Sequence, residues 1–153
     1  MANFGTTGLL AAAQNQRNGV ALNFSLPPDA TPADGSWRLF EFKAGQDAPV
    51  AERFMNIHSA WLFGKDRRLE STDASEAVCF IYLDHPSISR QHALIVFRKI
   101  GENSIPYLLD LKSSNGTSLN GENLEPGKLT EIFDKDVFKF AASSREWVML
   151  RVK

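Results

Sequence analysis

Cysteine is almost missing: Cys79 stands alone among 153 residues. That excludes a framework of intramolecular disulfides and fits a reducing compartment, cytosol or nucleus. The three histidines, at positions 58, 85 and 92, show no zinc spacing with Cys79, so no metal site and no cofactor is expected. No apolar run approaches the ~20 residues needed to cross a bilayer. The N-terminus also lacks a basic segment followed by an apolar core, so Leu9-Leu10-Ala11-Ala12-Ala13 is not expected to be a signal peptide. An excess of one charge is missing too. Seventeen Lys and Arg against eighteen Asp and Glu leave a net charge of −1. Bulk attraction to nucleic acid or to an anionic membrane is therefore not the theme, and any basic site has to be local.

What remains describes one globular domain with a tail: 43% hydrophobic, 10% aromatic and 23% charged residues. Residues 1–36 hold only three charged side chains (Arg17, Asp29, Asp34) and two aromatic ones, Phe4 and Phe24. Rich in Asn, Gln, Gly and Pro, this arm is too poor in apolar surface to build its own core. Residues 6–17 offer at most a helical turn or two, and residues 20–24 a strand that adds to a neighbouring sheet before Pro27-Pro28 stops it. The arm therefore orders against something else, its own domain or a partner. From Trp37 onward, short aromatic and β-branched runs follow one another at 37–43, 57–63, 78–83, 93–100, 107–111, 129–133, 137–141 and 147–152. Turn chemistry separates them, as at Asn115-Gly116, Asn120-Gly121 and Pro126-Gly127. Such spacing without a long amphipathic helix predicts an all-β sandwich over residues 37–153. Trp61, Phe63, Phe97, Phe138, Phe140 and Trp147 are assigned to its core, and residues 71–77 to a polar surface loop.

A sandwich places its chemistry where strands end. Gly64-Lys65-Asp66-Arg67-Arg68 ends one run with three cations. Ser89-Arg90-Gln91-His92 opens another, and Ser113-Ser114-Asn115-Gly116-Thr117 lies between two more. Hydroxyls, an amide, ammonium and guanidinium groups are the donors that a phosphate dianion requires. From the residues alone the loops are either a phosphate seat or unrelated solvated turns. No Gly-rich nucleotide motif is present. Asp84, Ser89 and His92 are sequence neighbours, but no Gly-x-Ser-x-Gly elbow presents Ser89, so catalysis is not expected. Cys79, between Val78 and Phe80, reads as a small buried hydrophobe.

The ordered blocks Gly64-Lys65, Ser89-Arg90-Gln91-His92 and Ser113-Ser114-Asn115-Gly116-Thr117, followed by Asn120-Gly121, resemble the forkhead-associated (FHA) domain. The resemblance implies a β-sandwich of about eleven strands whose loops at one end bind phosphothreonine peptides. Further blocks, among them Asn3-Phe4, Thr7-Gly8-Leu9-Leu10, Pro27-Pro28-Asp29-Ala30, Asp84-His85-Pro86-Ser87 and Ser143-Ser144-Arg145-Glu146, resemble the Smad nuclear-interacting protein / pre-mRNA leakage protein family. That likeness implies a nuclear, non-enzymatic scaffold subunit of a pre-mRNA retention and splicing complex associated with the spliceosome.

Carried over residue by residue, the resemblance gives Lys65, Ser89, Arg90, Ser114 and Asn115 to the phosphopeptide. Arg67 and Arg68 are auxiliary candidates, and Gly64, His92, Gly116 and Thr117 brace the loops. Gly116 suits a turn with positive φ, and Thr117 closes that turn with its hydroxyl. Phe4, Leu9 and Leu10 become anchors for an RRM-type splicing protein. Lys65 stands where the family pattern has arginine, and lysine is a point charge where arginine is a fork. The alternative is thus a purely structural scaffold whose FHA surface no longer binds phosphate. Direct RNA binding is disfavoured by the neutral charge, since an RNA-binding sheet wants exposed aromatics with a basic rim.

Overall fold

The structure is a computed structural model that describes residues 15–71, 73 and 75–152. Apart from one 3-10 turn, every regular element among the described residues is a strand. In chain order these are β1 (Gln16–Arg17), β2 (Val20–Ala21), β3 (Asp34–Phe42), β4 (Ala51–Asn56), β5 (Ala60–Gly64), β6 (Val78–Tyr82) and β7 (Ala93–Ile100). They continue with β8 (Asn103–Asp110), β9 (Thr117–Leu119), β10 (Glu122–Asn123), β11 (Thr130–Glu131), β12 (Val137–Phe140) and β13 (Glu146–Arg151). A six-stranded sheet in the order β10-β9-β12-β13-β3-β4 faces a five-stranded one in the order β11-β8-β7-β5-β6, giving the eleven-stranded sandwich.

The two sheets carry different sequence textures, and burial explains the difference. β3 and β13 alternate: Trp37, Leu39, Trp147 and Met149 point inward, while Arg38 and Glu146 point away. One face of that sheet meets water, which is the ordinary condition of an antiparallel sheet. β5 and the first half of β7 are buried at every residue. Trp61, Phe63, Ile95 and Phe97 fill the core between the sheets, while Ala60, Leu62, Leu94 and Val96 form a second cluster on the outer face. A run apolar on both sides needs cover on both sides. All six aromatics assigned to the core lie there, with Phe63 centred 4.8 Å from Phe140 and 5.3 Å from Trp147.

The outer cover is the N-terminal arm. Asn18 and Gly19, with φ of 54° and 80°, make the two-residue turn that pairs β1 with β2. Val20 and Phe24 are each only 8% exposed and pack on Leu62, Leu69, Leu94 and Val96. Residues 20–24 therefore do not extend a sheet as expected. Only Val20–Ala21 is strand, and it pairs with β1, because the apolar surface needing cover is a sheet face and not an edge. Asn15 lies in a turn and residues 16 and 17 are extended, while residues 6–14 of the expected helical stretch lie outside the described residues, as do Phe4, Leu9 and Leu10.

One other expectation changes. Residues 57–63 do not form one strand: Ile57 adopts φ 57° and separates β4 from β5. β6 runs parallel to β5, which requires the chain to cross back over the sheet through residues 65–77. Leu69, on the 3-10 turn Arg67–Leu69, fills part of the outer cluster on that path.

Candidate functional site

Three loops meet at one end of the sandwich: the end of β5, the segment between β6 and β7, and the segment between β8 and β9. The first two are joined by backbone hydrogen bonds. Lys65 N–H donates to Ser89 C=O at 3.2 Å, and Leu83 N–H to Gly64 C=O at 2.8 Å. A Cβ on Gly64 would stand 2.0 Å from the Arg90 carbonyl oxygen, so only glycine lets the loops approach this closely.

His92 ties the second loop to the third. Its Nδ1 accepts from Ser89 N–H at 3.0 Å, and its Nε2 lies 2.8 Å from Gly116 C=O. A nitrogen that accepts and one that faces a carbonyl fix a single form, the neutral imidazole protonated on Nε2. Burial holds His92 below its ordinary pKa of 6.5. With both nitrogens engaged, His92 has no lone pair for the Ser89 hydroxyl, and Asp84 is exposed beside Tyr82, so these residues form no catalytic triad.

Asp110 holds the third loop from below. This carboxylate, 1% exposed, accepts from Ser113 N–H at 3.1 Å, from the Ser113 hydroxyl at 2.6 Å and from the Thr117 hydroxyl at 2.7 Å. Gly116, at φ 85°, completes the turn, and its N–H donates to Ser113 Oγ at 3.0 Å. Ser113 thus closes the turn, whereas the Thr117 hydroxyl points down to Asp110, the stronger acceptor. Asp110 heads the stretch 110–121 that resembles the FHA pattern, yet the sequence alone assigns it no role. An acidic residue ending a strand just ahead of a Ser-Ser-Asn-Gly-Thr turn was the available signal.

Above this scaffold the loops frame a hollow of about 490 Å³, and Lys65, Ser89, Arg90, Ser114 and Asn115 all line it. Ser114 N–H donates to Ser89 Oγ at 3.1 Å, and Asn115 Nδ2 to Ser87 C=O at 2.8 Å, so the second and third loops are also joined at the surface. Ser89 accepts this bond with a lone pair and keeps its hydroxyl proton to give elsewhere. Lys65 Nζ rests 3.2 Å from Pro86 C=O. Lys112, absent from the expected set, adds a third cation, and no carboxylate lines the hollow although the chain as a whole is slightly negative. Field lines from three cations with hydroxyl and amide donors between them favour a compact anion.

Arg67 and Arg68 lie outside that lining. Arg67 pairs with Glu70 at 3.1 Å and stacks over Tyr82, and Arg68 pairs with Asp66 at 2.7 Å. The arm borders the hollow through Asn23. Gln91, 6% exposed, clamps it there, accepting from Asn23 N–H and donating to Ala21 C=O, each at 2.8 Å. Cys79 is half-buried against the core, and burial pushes its thiol pKa up, away from nucleophilic use. Among the described residues, no group of three His, Cys, Asp or Glu side chains is placed to hold a metal ion, and no helix is long and apolar enough to cross a membrane.

The fold is a β-sandwich with three conjoined loops and an anion-favouring hollow at one end. The chain belongs to the FHA domain family, whose model matches residues 61–141. It is similar to the FHA domain-containing protein DDL of Arabidopsis thaliana, 38% identical over 157 residues that cover 96% of this chain and 46% of that protein. It is also similar to Smad nuclear-interacting protein 1 of Mus musculus, 37% identical over 156 residues, 96% of this chain and 38% of that one. The chain thus spans less than half the length of either relative. The solved structure of the yeast Pml1 splicing factor shares the fold, with a TM-score of 0.72 at 24% identity over 86% of this chain and 99% of that one.

Proposed function

We propose that this chain is a non-enzymatic, phosphothreonine-binding scaffold subunit of a nuclear pre-mRNA retention and splicing complex. The observation that carries the reading is the convergence of Lys65, Ser89, Arg90, Ser114 and Asn115 on one hollow free of carboxylates. In this reading the Ser89 hydroxyl donates to a phosphate oxygen, and Lys65 leaves the Pro86 carbonyl to neutralise the dianion. Arg90 and Lys112 flank the phosphate, while Asn115 grips the peptide backbone. Each charge-assisted bond contributes about 1.5–3 kcal/mol, so three or four outweigh the ordering of a short peptide. The complex is suggested by one relative, the yeast pre-mRNA leakage protein Pml1, which is 28% identical over 90% of this chain. Its solved structure is described as that of a splicing factor integrated into the RES complex. The name of Smad nuclear-interacting protein 1 supports the nucleus.

From Asn15 onward the arm lies on the sandwich, so the docking segment for an RRM-type splicing protein is assigned to residues 1–14, with Phe4, Leu9 and Leu10 as anchors. The test is a phosphothreonine peptide library titrated against matched unphosphorylated peptides and single-stranded RNA. Phosphate-dependent binding is expected. Binding of neither peptide, with the RRM protein still captured through residues 1–14, would leave the purely structural scaffold instead.

A further inference from the structure

We infer that the phosphate hollow continues into a second anion seat, and that the chain selects peptides carrying a second phosphate beside the phosphothreonine. The inference rests on the phosphothreonine reading above. A second hollow, of about 360 Å³, is lined by Lys65, Asp66, Arg68 and Arg90. It shares Lys65 and Arg90 with the first, so the two are contiguous. Arg68 belongs to the second alone.

On formal charge, the Asp66–Arg68 pair looks neutral, but its arrangement is not. The Asp66 side chain is 6% exposed and the Arg68 side chain 63%. The carboxylate lies beneath and the guanidinium on top. Asp66 also caps the 3-10 turn, accepting from Arg68 N–H at 3.1 Å, and grips the side chain at Nε (2.9 Å) and Nη2 (2.7 Å). Those bonds use one edge of the guanidinium and leave Nη1 available. The result is an exposed cation already fixed in place, which lowers the ordering cost that weakens most surface ion pairs. Bonding to Arg68 holds the Asp66 carboxyl below its ordinary pKa, with Arg90 adding to the effect, so the pair stays ionised. Arg67 lines neither hollow.

A phosphate in the first hollow engages Lys65 and Arg90 and leaves Arg68 facing water. An extended peptide advances about 3.3 Å per residue, so a second phosphate one or two residues away reaches the adjoining seat. A phosphate carries close to two charges and three acceptor oxygens, against one charge for a carboxylate, and it matches both the guanidinium edge and the shared Lys65 and Arg90.

The experiment takes the tightest-binding phosphothreonine peptide and resynthesises it with phosphoserine, glutamate or serine at each neighbouring position. Affinities are measured by calorimetry for the parent, Arg68→Ala and Arg68→Lys proteins, after unfolding curves confirm that each is folded. The doubly phosphorylated form is expected to bind the parent about three- to tenfold tighter than the serine form, the range between a surface pair and a charge-assisted bond. Arg68→Ala should bring that ratio near one, with Arg68→Lys between. A parent ratio of one, a ratio unchanged in Arg68→Ala, or a glutamate peptide equal to the doubly phosphorylated one overturns the second seat. So does displacement of the doubly phosphorylated peptide by single-stranded RNA. A parent that binds none of the peptides overturns the phosphothreonine reading itself.

Discussion

Asp110 offers the sharpest check on how the site is built, because one buried carboxylate holds three donors of the loop that carries Ser114. In Asp110→Asn, the amide oxygen can keep the place of Oδ1 and accept from the Ser113 and Thr117 hydroxyls. The amide nitrogen must then replace Oδ2, which accepts from Ser113 N–H at 3.1 Å, so a donor faces a donor. One charge-assisted bond is lost and a donor is left unpaired, a cost of about 1.5–3 kcal/mol. Asp110→Ala unpairs all three donors. Thr117 is 1% exposed and has no access to water, whereas Ser113 is partly exposed and can rehydrate, so the total is set at about 3–5 kcal/mol. Urea unfolding measures both variants, as a lower midpoint at unchanged slope. A double-mutant cycle with Thr117→Val isolates the buried contact and should show about 1 kcal/mol or more of coupling. Additive effects in that cycle, or an Asp110→Asn protein within about 0.5 kcal/mol of the parent, would refute the claim that this carboxylate organises the loop.

Ser89→Ala should cost about 1.5–3 kcal/mol of phosphopeptide binding in calorimetry, with a nearly unchanged unfolding midpoint because Ser89 lies at a loop tip. Lys65→Arg should strengthen the same binding by roughly 1 kcal/mol, since the fork adds geometry at constant charge; no gain would mean that Lys65 does not meet the phosphate. His92 is held neutral in the fold, so below pH 6.5 the unfolded chain takes up a proton that the folded chain refuses. Stability is therefore complete above that pH and declines as pH falls toward the lowered pKa; unfolding curves of the parent minus His92→Gln should show this slope. Gln91→Ala removes both bonds that pin the arm beside the site, and exchange of the Asn23 amide should rise about five- to thirtyfold, the equivalent of 1–2 kcal/mol. Unchanged exchange would show that Phe24 and Val20 hold the arm alone.

Much of this architecture is local, and local features are written in the chain. The alternation of Trp37-Arg38-Leu39 and the Asn120-Gly121 turn depend only on neighbouring residues, so strands and hairpins there are legible without coordinates. The loop blocks at 64–65, 89–92 and 113–117 were legible for the same reason, each being a short run of turn and donor residues. That they meet at one hollow was implied only by the FHA resemblance and not by the residues themselves, because their adjacency is made by the parallel crossover from β5 to β6 and by the contact at Gly64, across more than fifty residues of sequence. The role of Asp110 waited on burial, since a carboxylate ending a strand has the same sequence whether solvent or three donors surround it. The arm shows the division most clearly. Its composition alone determined that residues 1–36 have no core of their own. Only the tertiary structure decided that Val20 and Phe24 cover the outer face of β5 and β7, because that apolar face exists only once those strands are paired.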